Sequence, residues 1–303
     1  MSREAKDSWV NLNSIIAHTT ELEPLAPAIT RLVGLLAASD PDMREVERTM
    51  SFDPTIVLRV VGAANSVVYG GKFKARTVGE ALLRLGTGPA LNLIMSSAAR
   101  KQMTGGAPAY RMREMDLWTH SVATAVAVEV GAKRGWPGFT PAAFTAALIH
   151  DIGKVLLAKH MEADLVELLE RAERETSQKR AELEAEILGV HHGEVGGLIA
   201  QHWKMPEDIV CGVTQHHSEA ETKPLCVAIR AANLIAKRAL GIKQAPQAPE
   251  DSAILQLELD QEACAIWCAE TGVQVRQVAG LYGITLPDGL GIQNGEAHEN
   301  PDR

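Results

Sequence analysis

The residues of this sequence that could do chemistry are mostly histidines. Of the 10 histidines, seven fall between residues 150 and 217, and an eighth is His120. The sharpest motif is LIHDIGK, in which His150 and Asp151 are adjacent within a strongly apolar segment. An acidic side chain in such a segment is costly when it is left unpaired, so Asp151 needs a cation or a hydrogen-bond network.

Other histidines recur within LWTHSVAT, VHHGEVGG and TQHHSE, each in a different predicted helix or at its end. Imidazole nitrogens and carboxylate oxygens together bind first-row transition metals, and an adjacent His and Asp can bridge a two-metal centre. Such residues meet only if their helices pack side by side. The sequence therefore predicts one shared polar or metal site. Its candidate ligands are His120, His150, Asp151, His192, His216 and His217.

A simpler interpretation exists for any single one of these histidines. A histidine in a protein core is usually hydrogen-bonded to a neighbouring group and has no further role. That interpretation is the expected one for His18, His160, His202 and His298. His191 is expected to lie on the solvent side of its neighbour His192. For the six candidate ligands together we favour a shared site. Such a site does not require a metal, because hydrogen bonds among these residues could also satisfy Asp151.

The elements that must position these residues are helices. Nearly every segment has the helical period, and hardly any alternates at period two. Aromatic residues make up only 4% of the chain, which favours packed helices over a sandwich or barrel. The expected class is all-α: an N-terminal bundle of about five helices packed on a second helical bundle. Within the second bundle, single helices are expected over 141–160 and about 162–188.

Glycine and proline clusters divide the chain. The stretch TGGAPAY at 104–110 is the best internal boundary, and residues 243–252 have the composition of a linker. We expect an N-terminal segment, two helical parts, and a linker followed by a small helical extension. Their expected ranges are 1–19, 20–108, 109–242 and 243–303.

Composition excludes several classes of function. The net charge of −8 argues against a broad surface for duplex nucleic acid. Four cysteines without a CxxC pair fit a reducing compartment, and no segment approaches the roughly 18 to 20 uninterrupted apolar residues that a membrane helix needs. A cytoplasmic protein without a membrane partner is expected. Cys264, Trp267 and Cys268 share one helical stripe and are expected to form a packing face.

The order of the histidine motifs resembles the HD superfamily of metal-dependent phosphohydrolases over about residues 110–235. Lys154 matches the lysine that follows the His–Asp doublet (here His150 and Asp151) in the related HD-GYP phosphodiesterases, where that lysine faces substrate phosphate. After His217 the sequence departs from that pattern: it has no GYP motif, and Asn233 is the nearest candidate where a final metal-binding Asp is expected. A neutral amide is a poorer ligand for a hard cation. The resemblance therefore implies at most one divalent transition metal, which could be iron, manganese or zinc.

The N-terminal half resembles a more specific relative. The segments LEPLAPAITRLVGLL, FDPTIVLRVVGAANSVVYG and TVGEALLRLGTGPALNLIMSSA are similar to the HDOD domain, an HD-related output domain of bacteria. With the histidine motifs, this resemblance covers roughly residues 20–240. Asn65, Ser66 and Tyr69 are expected to structure the turn after their helix, and a basic loop follows at Lys72.

Membership of the HDOD family implies a regulatory signalling module that acts by protein–protein contacts, with a ligand or metal modulating them. Signalling proteins are the implied partners, and a nucleotide or cyclic dinucleotide is a possible ligand. The alternative is a metal-dependent phosphohydrolase or phosphodiesterase. In that case Asp151 would activate water and Lys154 would stabilise phosphate charge. The absence of the final Asp favours the regulatory interpretation.

Overall fold

A computed structural model of the chain describes residues 23–38, 40–69, 74–176, 178–242 and 252–281, together with Ile284 and Leu286. Within these residues the regular elements are α-helices and one short 3-10 turn at Pro108–Tyr110, and no β-strand occurs. The all-α prediction is confirmed. Several expectations lie outside the described residues: the segment 1–19 with His18, the loop residue Lys72, the linker residues 243–251 and His298.

Five of the described helices precede the boundary at 104–110. They are α1 (Pro27–Ala37), α2 (Met43–Ser51), α3 (Pro54–Ala64), α4 (Val78–Leu85) and α5 (Thr87–Gln102). Aspartates begin two of them, because Asp42 accepts hydrogen bonds from the first turn of α2 and Asp53 from that of α3. Pro54 follows its cap at the first helical position, where a missing N–H costs nothing.

The remaining helices carry the histidine motifs and the C-terminal extension. They are α6 (Glu114–Lys133), α7 (Pro141–Ile149), α8 (Gly153–His160), α9 (Ala163–Glu175), α10 (Arg180–Leu188), α11 (His192–His202), α12 (Glu207–Thr214), α13 (Pro224–Ala239), α14 (Ser252–Gln256) and α15 (Gln261–Leu281). The short Pro108–Tyr110 turn stands at the predicted boundary between the two sets.

Two predicted helices are wrong in extent. The segment 141–160 is broken at residues 150–152, between α7 and α8. There the ring Nδ1 of His150 donates to the Ala147 carbonyl at 2.6 Å, which in a continuous helix would accept the main-chain N–H of Asp151. The segment 162–188 is likewise two helices, α9 and α10, and at the start of the second the Glu182 carboxylate accepts the main-chain N–H of Lys179 at 3.2 Å.

The apolar core is continuous through both halves of the described chain. Helix α6 lies at its centre and is buried along most of its length, because α5, α7, α13 and α15 pack around it. The extension joins this core through Trp267 of α15, which is fully buried and donates a 2.9 Å hydrogen bond to the Ala127 carbonyl. Trp267 and Cys264 are buried and Cys268 is half-buried, as a packing face requires.

Among the described residues, one stretch, Pro141–His160, is long and apolar enough to cross a membrane. In the fold, 83% of the most apolar part of this stretch is buried inside the protein. The stretch consists of α7 and α8 with the His–Asp doublet in the break between them. Its apolar side chains therefore belong to the core around that doublet.

The turn after α3 is held by the side chain of Asn65. Its amide donates to the Ala75 carbonyl at 2.8 Å and accepts from the Ala75 N–H at 2.8 Å, so one side chain closes the loop between α3 and α4. Arg84 of α4 donates to the same amide oxygen at 3.2 Å. The structural role expected for Asn65 is confirmed.

Candidate metal centre

Four separate parts of the fold bring the candidate ligands to one place. His120 lies in the middle of α6, and His150 and Asp151 occupy the break between α7 and α8. His192 is the first residue of α11, whereas His216 and His217 follow the end of α12. The structure brings all six side chains together around the carboxylate of Asp151.

Each oxygen of Asp151 faces a different set of imidazoles. Oδ2 lies 3.6 Å from Nε2 of His120 and 3.5 Å from Nε2 of His150. Oδ1 lies 3.3 Å from Nε2 of His192 and 3.8 Å from Nε2 of His216. The His217 Nε2 lies 2.9 Å from that of His192 and joins the Oδ1 set. Asp151 therefore lies between two potential metal positions that share its carboxylate.

The second ring nitrogens determine which tautomer each histidine adopts. Nδ1 of His150 and Nδ1 of His216 each lie 2.6 Å from a main-chain carbonyl oxygen, which can only accept a hydrogen bond. Both Nδ1 atoms must therefore carry the proton, which leaves Nε2 as a lone pair directed at the site. These two Nε2 atoms and both ring nitrogens of His120 are buried without a hydrogen-bond partner.

Lone pairs aimed at a carboxylate repel it unless a cation lies between them. The arrangement of neutral imidazoles around one carboxylate is the donor set that a divalent transition metal prefers. Exposure is at most 3% for the side chains of His120, His150, Asp151, His192 and His216. The residues present thus fit a bound metal, and metal binding itself stays a prediction.

A second carboxylate, Glu184 of α10, positions His192. Its Oε2 accepts from the ring Nδ1 of His192 at 2.6 Å and from the main-chain N–H of His192 at 2.8 Å. Metal-ligating histidines commonly donate their other ring N–H to a carboxylate in this way. The sequence reasoning missed Glu184. The available signal was an acidic residue on the apolar stripe of α10, between Ala181 and Leu188, both of which are buried.

Electrostatics in the cluster favour ligand forms. Burial opposes ionisation of Asp151, but His150, Lys154 and His192 outweigh it and hold the pKa of this carboxyl well below its usual range. Burial lowers the pKa of His150 to about 4. It also lowers the pKa of the other buried imidazoles well below their usual range, namely His120, His216 and His217. Neutral imidazole and ionised carboxylate are the forms that bind a metal.

His192 is the exception among the imidazoles. Burial lowers the pKa of His192, but the negative charge of Glu184 and the hydrogen bonds to Asp151 and Glu184 together outweigh burial and raise this pKa. Burial raises the pKa of Glu184, but the charge and hydrogen bonds of His192 outweigh burial and lower this pKa. Glu184 therefore remains an anion beside the centre, hydrogen-bonded to His192.

A family model for the HDOD domain matches residues 22–219, which is more than half of the chain. The chain belongs to the HDOD family. The match covers five helices of the N-terminal half and reaches beyond His216 and His217. It confirms the family resemblance found in the sequence, including its N-terminal motifs.

Solved structures share this HDOD fold at low sequence identity. An HDOD domain protein of unknown function from Geobacter sulfurreducens is 20% identical with a TM-score of 0.65, over 89% of this chain and 99% of that one. A protein from Marinobacter aquaeolei VT8, provisionally named a signal transduction protein, is 21% identical with a TM-score of 0.68, over 90% of this chain and 64% of that one. One from Shewanella amazonensis SB2B, provisionally named a phosphohydrolase, is 23% identical with a TM-score of 0.55, over 90% of each chain.

A curated relative, an uncharacterized protein of Treponema pallidum (strain Nichols), is 22% identical over 227 residues. The alignment covers 73% of this HDOD chain but only 43% of the relative's own length. The chain thus spans less than half of that protein.

In this HDOD protein, the position expected for a final metal-binding Asp is filled by Asn233 of α13. Its side chain is buried, and its Oδ1 has no hydrogen-bond partner. One turn further along α13, the positive charge of Lys237 lowers the pKa of His120 and His150, after the larger effect of burial. Helix α13 therefore brings the positive charge of Lys237 toward the cluster.

Lys154, the HDOD residue matched to the phosphate-facing lysine, contacts Asp151 instead. Its Nζ donates to Oδ2 at 2.7 Å and is mostly buried. Lys154 and Arg180 also lie 5.7 Å and 5.2 Å from the ring of Tyr110, which contacts the His192 ring edge-on at 6.2 Å. Tyr110 and Arg180 had no distinguishing signal in the sequence, because both lie on elements remote from the histidine motifs.

Proposed function

We propose that this HDOD protein is a regulatory signalling module whose buried centre holds one divalent transition metal and does not catalyse efficient hydrolysis. The metal would be iron, manganese or zinc, and Asp151 would hold it together with the imidazoles that face Oδ1. Those imidazoles belong to His192, His216 and His217. Bound there, a metal would supply a Lewis acid and a fixed positive charge.

The observation that carries this proposal is the ammonium of Lys154 on Oδ2 of Asp151 at 2.7 Å. Asp151 is the only carboxylate within the two described groups of potential ligands. A two-metal hydrolytic centre needs enough negative charge to hold both ions. With one carboxylate oxygen paired to Lys154 and an amide at Asn233, this charge is missing from the Oδ2 side.

Burial of the centre also supports a role other than turnover. A substrate must bring its reacting atom within contact distance of the metal and of an attacking water. Here Asp151 is 1% exposed, Lys154 lies on its Oδ2, and the ring of Tyr110 lies against Lys154. A phosphate of a nucleotide or cyclic dinucleotide ligand would instead meet the partly exposed cations of Lys154 and Arg180 over the ring of Tyr110, and would modulate contacts with signalling proteins.

The test is metal content and turnover of the purified full chain, prepared without chelator. We expect about one metal per chain, as a single four-ligand set implies, and no turnover of cyclic dinucleotides, nucleotides or a generic phosphodiester with manganese or iron added. Asp151→Ala should lose the metal, whereas Asp164→Ala, an exposed carboxylate on α9, should keep it.

Turnover that disappears in Asp151→Ala, with the fold intact by circular dichroism, would overturn the regulatory proposal. Such a result would establish the alternative, a metal-dependent phosphohydrolase in which Lys154 stabilises phosphate charge. Turnover that survives in Asp151→Ala indicates a contaminating enzyme and leaves the metal content to decide. If the wild-type protein contains no metal after growth with all three metals supplied, the proposed metal site is contradicted.

A further inference from the structure

A second group of reactive side chains lies outside the metal centre, at a cavity of about 700 Å³. The cavity is lined by the connection after α1, the start of α7, helix α12 and the start of α13. Cys211 of α12 and Cys226 of α13 are both part of its wall, with Lys223 beside them. None of these three residues belongs to the histidine cluster.

The two sulfur atoms are already close. Sγ of Cys211 lies 3.8 Å from Sγ of Cys226. A disulfide has an S–S distance of about 2.05 Å, so rotation of the side chains with a helix shift of about 1 to 2 Å would join them. Both cysteines are free thiols in this structure.

Their surroundings differ in a way that assigns each sulfur a role. The half-buried Cys211 has the ammonium of Lys223 3.3 Å from its Sγ, and such a neighbouring cation favours reaction at the sulfur. The Cys226 thiol is buried, and burial raises its pKa to about 12. Cys211 is therefore the sulfur that reacts first, and Cys226 remains a thiol until a partner sulfur is oxidised.

We propose that Cys211 and Cys226 are a modification site at which a hydroperoxide forms an intramolecular disulfide between α12 and α13. In the first step the Cys211 sulfur attacks the terminal peroxide oxygen. An S–O bond forms and the O–O bond breaks, which yields a sulfenic acid at Cys211 and releases water, or an alcohol from an organic hydroperoxide. In the second step the Cys226 sulfur attacks that sulfenic sulfur, loses its proton and releases the hydroxyl as water. Sulfur is oxidised and the peroxide reduced by two electrons overall.

The disulfide would close a loop that contains part of the other site. Residues 212–225 lie between the two cysteines and include His216 and His217. Oxidation would therefore tether the segment that carries two of the six candidate ligands. This inference rests on the thiol geometry and is independent of whether a metal is bound.

The experiment treats the purified full chain with hydrogen peroxide, blocks remaining thiols with an alkylating agent after denaturation, and maps the peptides by mass. We expect two of the four thiols to disappear, a cross-linked peptide pair joining Cys211 to Cys226, and reversal by dithiothreitol. The double variant Cys264→Ser/Cys268→Ser removes the two other thiols and should behave like the wild type at Cys211 and Cys226.

Further variants separate the two steps. Cys226→Ala should stop at a sulfenic acid on Cys211, trapped by dimedone, and Lys223→Met should slow oxidation of Cys211 about threefold or more, whereas Lys223→Arg should retain the rate. Four persistent thiols overturn the proposal. A disulfide at Cys264–Cys268 or between molecules also overturns it, as does oxidation of Cys211 without loss of the Cys226 thiol. Peptide mapping of the wild-type chain decides even if a variant fails to fold.

Discussion

Gly153 lies directly against the main chain of His192. A Cβ atom built at position 153 would overlap the carbonyl oxygen of His192 and stand 2.7 Å from the main-chain nitrogen of Gly196. Helix α8 can therefore approach α11 closely only because residue 153 has no side chain. This contact holds the Asp151 end of α8 beside the first turn of α11, where His192 lies.

Replacement of this glycine should damage both the fold and the centre. Gly153→Ala is expected to lower the free energy of unfolding by about 3 kcal/mol, because main-chain atoms cannot move aside as a flexible side chain can. Urea denaturation followed by circular dichroism measures the change. The matched control is Gly62→Ala in α3, where a Cβ meets nothing within 4 Å and the helix should gain about 1 kcal/mol. Equal stability of Gly153→Ala and the wild type would contradict the close approach.

Loss of the Glu184 charge should weaken metal binding without removing a ligand. Glu184→Gln is expected to reduce metal affinity about 10- to 100-fold, since the amide no longer fixes the tautomer of His192 or increases its basicity. Competition with a chromophoric chelator measures the affinity. Glu186→Gln, an exposed change on the same helix, serves as control and should leave the affinity unchanged.

The Asn65 side chain should account for a measurable part of the stability of the N-terminal half. Asn65→Ala removes both hydrogen bonds to Ala75, and the free energy of unfolding is expected to fall by about 2 kcal/mol. Asn65→Asp keeps the acceptor for the Ala75 N–H but sets a carboxylate oxygen against the Ala75 carbonyl oxygen, so it should also lower the free energy of unfolding in urea. An alanine variant with unchanged stability would show that the loop is closed by other contacts.

Burial of the Cys226 thiol gives a defined alkaline pH dependence. The unfolded chain loses this proton near the ordinary value of 9.0, whereas the folded protein keeps it up to about 12. Between these values the folded state binds more protons, so the contribution of Cys226 to stability falls as the pH rises. The difference in free energy of unfolding between wild type and Cys226→Ala should therefore shift against the wild type over this range. A difference that is constant with pH would contradict the raised pKa.

The sequence by itself determined the helical class and the histidines and aspartate that meet at the centre. The reason is local: apolar periodicity, Asp and Thr caps, and prolines at first turns act within a few residues. Thr140 caps α7 and Asp53 caps α3, and both follow from spacing alone. Asp151 could be identified as a site residue because a carboxylate within an apolar segment is costly unless a cation or hydrogen-bond donor pairs with it.

Tertiary structure decided which partners those are. The break of 141–160 at His150 depends on a ring-to-carbonyl bond, and the pairing of Glu184 with His192 depends on how α10 packs near α11. The family resemblance implied that Lys154 faces a phosphate, but in the fold its ammonium binds Asp151. Cys211 and Cys226 are 15 residues apart and become neighbours only when α12 and α13 meet. Such contacts depend on the packing of whole helices, which no local residue pattern specifies.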